Sequence, residues 1–113
     1  MRSRMNTLPN LQIEFERAAQ ARAKGNEGQA RVCARRAAGI AAREYFSRRE
    51  IRVPAASAYD LLNKLKDEAL PIEMKVIVEH LTARVTEEFK LPMDADLLAE
   101  ARALCEWLLN KNS

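Results

Sequence analysis

The residues in this chain with the most chemical reach are its arginines and its histidine. Arg31, Arg35 and Arg36 recur about one helical turn apart, and Arg43, Arg48 and Arg49 continue the series toward Arg52. A guanidinium holds phosphate or carboxylate through two parallel N–H bonds, so such a cluster has the chemistry of an anion-binding surface. Nucleic-acid faces also use rings to stack bases, and the rings near these arginines, Tyr45 and Phe46, both suit a core. A solvated or acid-paired helix face is the favoured reading. Arg31, Arg35, Arg36, Arg43, Arg48 and Arg49 remain the candidate ligand-binding set.

His80 is the single histidine. An imidazole can move a proton near neutral pH, but catalysis needs a nucleophile or an orienting acid beside it. No serine or cysteine motif marks a nucleophile, and Glu79 points elsewhere on the same helix. A structural or surface histidine is favoured. The carboxylates Glu87, Glu88, Asp94, Asp96 and Glu100 lack the Glu-x-x-His repeats of a helix-borne metal site. They read as solvated faces and as charges that complement helix N-termini. Gly25, Gly28 and Gly39 form no phosphate loop. Neither a metal site nor a cofactor is expected.

The elements that must position these groups are helical. Residues 27–50, EGQARVCARRAAGIAAREYFSRRE, form the longest uninterrupted helical signal, rich in alanine and arginine. Ala30, Ala34, Ala37, Ala41 and Tyr45 share one face, widened by Cys33 and Ile40. Val32, Gly39 and Phe46 fall on the other side. A helix with small apolar residues most of the way round is expected at the centre, touched by several neighbours.

Around it, four prolines mark boundaries. The first helix starts near Leu8 or Pro9, with Leu11, Phe15, Ala18 or Ala19, and Arg22 inward. Gly25-Asn26 stops it and implies a helical hairpin. The chain is extended through residues 53–56. A short third helix starts at Ser57, with Asp60 completing a capping box and Leu61, Leu62 and Leu65 facing the core. Pro71 opens a fourth helix, expected to run to about Phe89 on Met74, Ile77, Val78, Leu81 and Val85. Asp94 is the expected cap of a last helix whose inward residues are Leu97, Leu98, Ala101, Leu104, Cys105 and Leu108. The fold class is all-α, a single up-and-down bundle of about five helices. One domain spans residues 8–110, between a flexible N-terminus at 1–7 and a tail at 111–113.

At 113 residues the chain can bury a real core without staples. Cys33 and Cys105 are expected as buried, reduced thiols, which suits a cytoplasmic protein. The basic N-terminus has no apolar run behind it, and no segment is long enough to span a membrane. The net charge of +3 conceals an asymmetry: residues 1–52 hold 12 Lys/Arg against 5 Asp/Glu, and residues 53–113 hold 7 against 11. Pairing of the two halves within the fold or a dimer is favoured over an anionic partner for the first half.

A resemblance follows from the order of these pieces. A helical hairpin leads to a basic alanine-rich helix ending in AREYF, then SAYDLLNKL, then a helix ending in LTARVTEEF, then DADLLAEARALCEWL with Trp107 near its end. This is similar to the HEPN superfamily of small helical bundles over about residues 8–109. The resemblance implies a homodimer, often beside a nucleotidyltransferase-type protein partner, with RNA or nucleotide as ligand. It also implies, for many members, a metal-independent ribonuclease of toxin–antitoxin or defence systems. The family's catalytic motif is an arginine followed four to six residues later by histidine. Here Arg84 stands near the arginine position, but Phe89 stands where histidine could sit, and His80 has Lys75 upstream. Arg84, His80 and Lys75 are the catalytic candidates on that basis. The departure points to a non-catalytic member that binds a protein or an anionic ligand through its basic first half.

Overall fold

The computed structural model describes residues 8–54, 57–83 and 96–110. They form five helices: α1 (Pro9–Ala23), α2 (Glu27–Arg48), α3 (Ala58–Leu65), α4 (Ile72–Thr82) and α5 (Leu97–Leu109). No strand occurs among the described residues, so the chain is the all-α bundle that its periodicity predicts. The expected N-terminal segment 1–7 and tail 111–113 lie outside the described residues.

α2 is central because its side chains are small on nearly every side. Ala34, Ala37, Ala38, Ala41 and Ala42 are fully buried, and α1, α3 and α5 all pack on this helix. The bulk comes from its neighbours: Leu11 and Phe15 of α1, Leu62 and Leu65 of α3, Leu104 and Leu108 of α5. Each such leucine contributes about 1.5–3 kcal/mol when buried. The alanines contribute less area and instead let the axes approach. One close approach is at Gly39, where an added Cβ would stand 2.6 Å from the Cβ of Ala58. The first turn of α3 therefore rests directly on the backbone of α2.

The helix ends show where local sequence was sufficient. After α1, Gly25 takes a positive φ of 78°, and the Asn26 N–H donates back to the Ala21 carbonyl at 2.8 Å. Asn26 then turns to cap α2, its side chain accepting from the Gln29 N–H. The α3 capping box forms in full: Ser57 Oγ accepts from the Asp60 N–H, and Asp60 Oδ2 accepts from the Ser57 N–H.

Three expectations are corrected. α2 stops at Arg48 rather than Glu50, because Glu50 adopts φ 58° and the Ile51 N–H closes back on the Phe46 carbonyl. This is the same stop that Gly25 makes, built without glycine. α4 ends at Thr82 rather than near Phe89. Ala83 is extended at ψ 139°, and Thr82 Oγ1 donates to the Val78 carbonyl of its own helix at 2.8 Å. α5 is capped by Asp96, whose carboxylate accepts from the Ala99 N–H at 3.2 Å, not by Asp94. Val85, Phe89 and Asp94 lie outside the described residues.

Cys33 and Cys105 are buried and unbridged. Burial pushes the Cys105 thiol up to about 12, and it donates weakly to the Ala37 carbonyl. Among the described residues, no helix is long and apolar enough to cross a membrane.

Candidate functional site

The six candidate arginines do not share a surface. Helix geometry turns each residue by about 100°, so Arg36 stands a quarter-turn from Arg35, and the tertiary packing uses the two differently. Arg35 is partly buried, and its Nε donates to the Leu81 carbonyl at 2.7 Å. That carbonyl lies in the last turn of α4, where main-chain acceptors lack partners within the helix. Burial lowers the pKa of this guanidinium from its ordinary value, far above neutrality. Arg48 does the same work for α5. Its Nη1 donates to the Leu109 carbonyl at 2.9 Å, while its Nε pairs with Glu44 at 2.9 Å. Two arginines of α2 thus cap the negative ends of two other helices.

Arg49 lies over the ring of Tyr45, its guanidinium carbon 4.4 Å from the ring centre. The Tyr45 hydroxyl reaches Glu68 at 3.2 Å, and burial raises the pKa of the phenol. Arg31 is half-buried near Glu27. Glu27 itself pairs at 2.6 Å with Arg22, which also reaches Asp96 at 3.0 Å. Arg22, read as part of an inward stripe, is a half-exposed bridge tying the α1–α2 turn to the start of α5. The Arg22–Asp96 pair joins the basic first half of the sequence to its acidic second half.

Arg36 and Arg43 reach the surface elsewhere on α2. They are exposed and seven residues apart, hence on one face of α2. Both line an open groove of about 450 Å³ between α1, α2 and α3, with Asn10 and Glu14 on one wall and Ala58 and Leu61 on the other. Gly39 and Ile40 form its floor. Arg43 also lines a second groove of about 460 Å³, continued by Phe46, Glu50, Ile51 and Arg52. The candidate surface is therefore narrower than the sequence reading, consisting of Arg36 and Arg43 with Arg52 added.

The histidine has acquired the orienting acid that its local sequence lacked. His80 Nδ1 lies 2.7 Å from Glu100 Oε1, joining α4 to α5, with both side chains about a quarter exposed. Glu100, read as a solvated charge, is instead this partner. Lys75 is exposed and lines a small cavity of about 60 Å³ with Lys66, Leu70 and Glu79. Five residues of helix place it about 140° round α4 from His80, so the two do not converge. Arg84 lies outside the described residues. Among the described residues, no three His, Cys, Asp or Glu side chains gather as a metal site would need.

Sequence reasoning missed Asn10, Glu14, Ala58 and Leu61 as groove walls and Glu100 as the histidine's partner. The seven-residue repeat of Arg36 and Arg43 was the available signal for their shared face. Nothing local marks residues brought together from three helices. No family model, curated protein or solved structure matches this chain.

Proposed function

We propose that this chain is a non-catalytic HEPN-like helical module, paired as a homodimer, that takes an anionic group of a partner into the α2 groove. The observation carrying this reading is the placement of Arg36 and Arg43 on one face of α2, in a groove that Arg43 shares with the one holding Arg52. Arginines employed in the fold, such as Arg35 and Arg48, point to main-chain carbonyls. Those of the groove line space large enough for a ligand. The anionic group is a carboxylate of a protein or a phosphate of nucleotide or RNA. The resemblance implies a nucleotidyltransferase-type protein among the partners.

The homodimer is supported by α4, where Ile72 and Val76 are 68% and 44% exposed, one turn apart and opposite the buried stripe. A second copy laid on this face would take both side chains out of water. The buried, unbridged thiols support a cytoplasmic setting. The test is low-salt fluorescence anisotropy with two labelled probes, an oligouridylate and an acidic peptide. At least one should bind, with affinity falling as salt rises, and Arg36→Glu/Arg43→Glu should abolish it while helicity is unchanged. Binding retained by that variant would remove the groove, and no binding by either probe would sink the function.

A second reading has its own observation. Glu100 at 2.7 Å fixes His80 through Nδ1, leaving Nε2 as the proton-transferring nitrogen of a divergent metal-independent ribonuclease. Its test is RNA turnover by His80→Ala, and unchanged turnover eliminates the histidine.

A further inference from the structure

Resting on the groove reading above, we infer that the occupant is an amphipathic helix of another protein that carries both signs of charge. The lining is mixed. Arg36, Arg43 and Arg52 share the two adjoining grooves with Glu14 and Glu50. A phosphate chain presents the same charge at every step and so meets repulsion at both carboxylates. A helix with acidic residues on one flank and lysines on the other meets attraction at each. Glu14 adds a specific demand, since its Oε1 is buried and has no hydrogen-bond partner among the described residues. An unpaired buried acceptor is costly, and a cation brought alongside the carboxylate offsets that cost.

The spacing agrees with this occupant. Seven residues of α2 separate Arg36 from Arg43, about 10.5 Å at 1.5 Å per residue. A partner helix repeats its side chains on the same interval, so two carboxylates seven residues apart meet both guanidiniums in register. From Arg36 to Ser47 the lining follows α2 for about 16 Å, three turns of a helix. Its floor is apolar, with Ile40 and Ile51 partly buried and in reach of a partner's leucines. Single-stranded nucleic acid would instead need exposed rings to stack its bases. The ring that lines these grooves, Phe46, is 1% exposed and offers no face. The walls are also preformed, because α3 rests on Gly39 without room for even a methyl group.

The test is anisotropy on the full chain with three labelled probes. One is a synthetic helix of about 15 residues with glutamates seven residues apart, leucines between them and lysines on the opposite flank. The second is the same helix with its lysines changed to glutamate, and the third is an oligouridylate. The mixed helix is expected to bind at least about tenfold more tightly than either other probe. Glu14→Lys should weaken the mixed helix and strengthen the all-acidic one. Glu14→Gln should move both affinities in the same directions by less, with helicity as a check on folding. If the oligouridylate or the all-acidic helix binds as well as the mixed one, this inference is overturned while the anion-binding groove stands. Indifference to both Glu14 substitutions overturns it too. If none of the probes binds, the groove reading falls with it.

Discussion

Arg35 and Arg36 are neighbours in sequence and opposites in structure. Arg35 is drawn under α4 and donates to the Leu81 carbonyl, whereas Arg36 stands exposed in a groove walled by α1 and α3. The same contrast repeats lower down α2, where Arg48 holds the end of α5 and Arg43 lines both grooves. A basic helix can thus tie down its neighbours on one side and line grooves on another. A count of arginines does not separate the two roles, but their placement does. A guanidinium on a helix-terminal carbonyl is part of the fold.

That contrast makes predictions of graded size. The buried side should fail first. Leu62→Ala, at a fully buried position of α3, should cost about 2–5 kcal/mol in chemical denaturation. It should also loosen the groove wall, so probe binding falls with it. Arg35→Met keeps the apolar stem and removes the donor. A lost charge-assisted bond of this kind costs about 1.5–3 kcal/mol, and anisotropy with groove probes should change little. If Arg35→Met abolished binding without loss of stability, the division of α2 into two sides would be wrong.

Glu50 tests the helix stop that separates the two regions. Its positive φ is costly for any residue with a Cβ, so Glu50→Gly should raise the denaturation midpoint, by about 1 kcal/mol of stability. Unchanged or lower stability would mean that the glutamate side chain compensates for its backbone.

Acid should act on the tie between α1, α2 and α5. The Ala99 N–H, then Arg22, hold Asp96 below its ordinary 3.8, and Arg22 holds Glu27 below its ordinary 4.5. Groups whose pKa is lowered on folding contribute fully above the ordinary value and lose that contribution as pH falls through the folded value. Stability should therefore decline below about pH 4.5. The loss should be shallower in Asp96→Asn, which keeps an N-cap acceptor but does not titrate. These groups are substantially exposed, so the change is modest. The smallest effect belongs to the groove itself. Arg36→Met should leave stability within about 0.5 kcal/mol while weakening binding, and a larger loss of stability would assign Arg36 to the fold.

Local sequence was informative wherever structure depends on neighbours along the chain. Gly25 and Asn26 announced a stop and a new cap, Ser57 and Asp60 a capping box, and the alanine run a central helix. It failed where a longer-range choice decided the outcome. α4 ends at Thr82, where Ala83 is extended, short of the expected end. Asp94 was the expected cap of the last helix, and Asp96, which also meets Arg22, takes that place. The helical signal read through residue 50 breaks off early, because the Ile51 N–H closes on the Phe46 carbonyl and turns the chain.

By itself, the sequence determined that this protein is a small helical bundle organised around an alanine-rich helix, because side-chain size, helical period and caps act over a few residues. Only the tertiary structure decided which arginines cap other helices, that Glu100 would meet His80, and that Arg36 and Arg43 would line a groove with Glu14. Those relations join residues on different helices. They depend on how closely the helices pack, and that distance is set by small side chains meeting across the core.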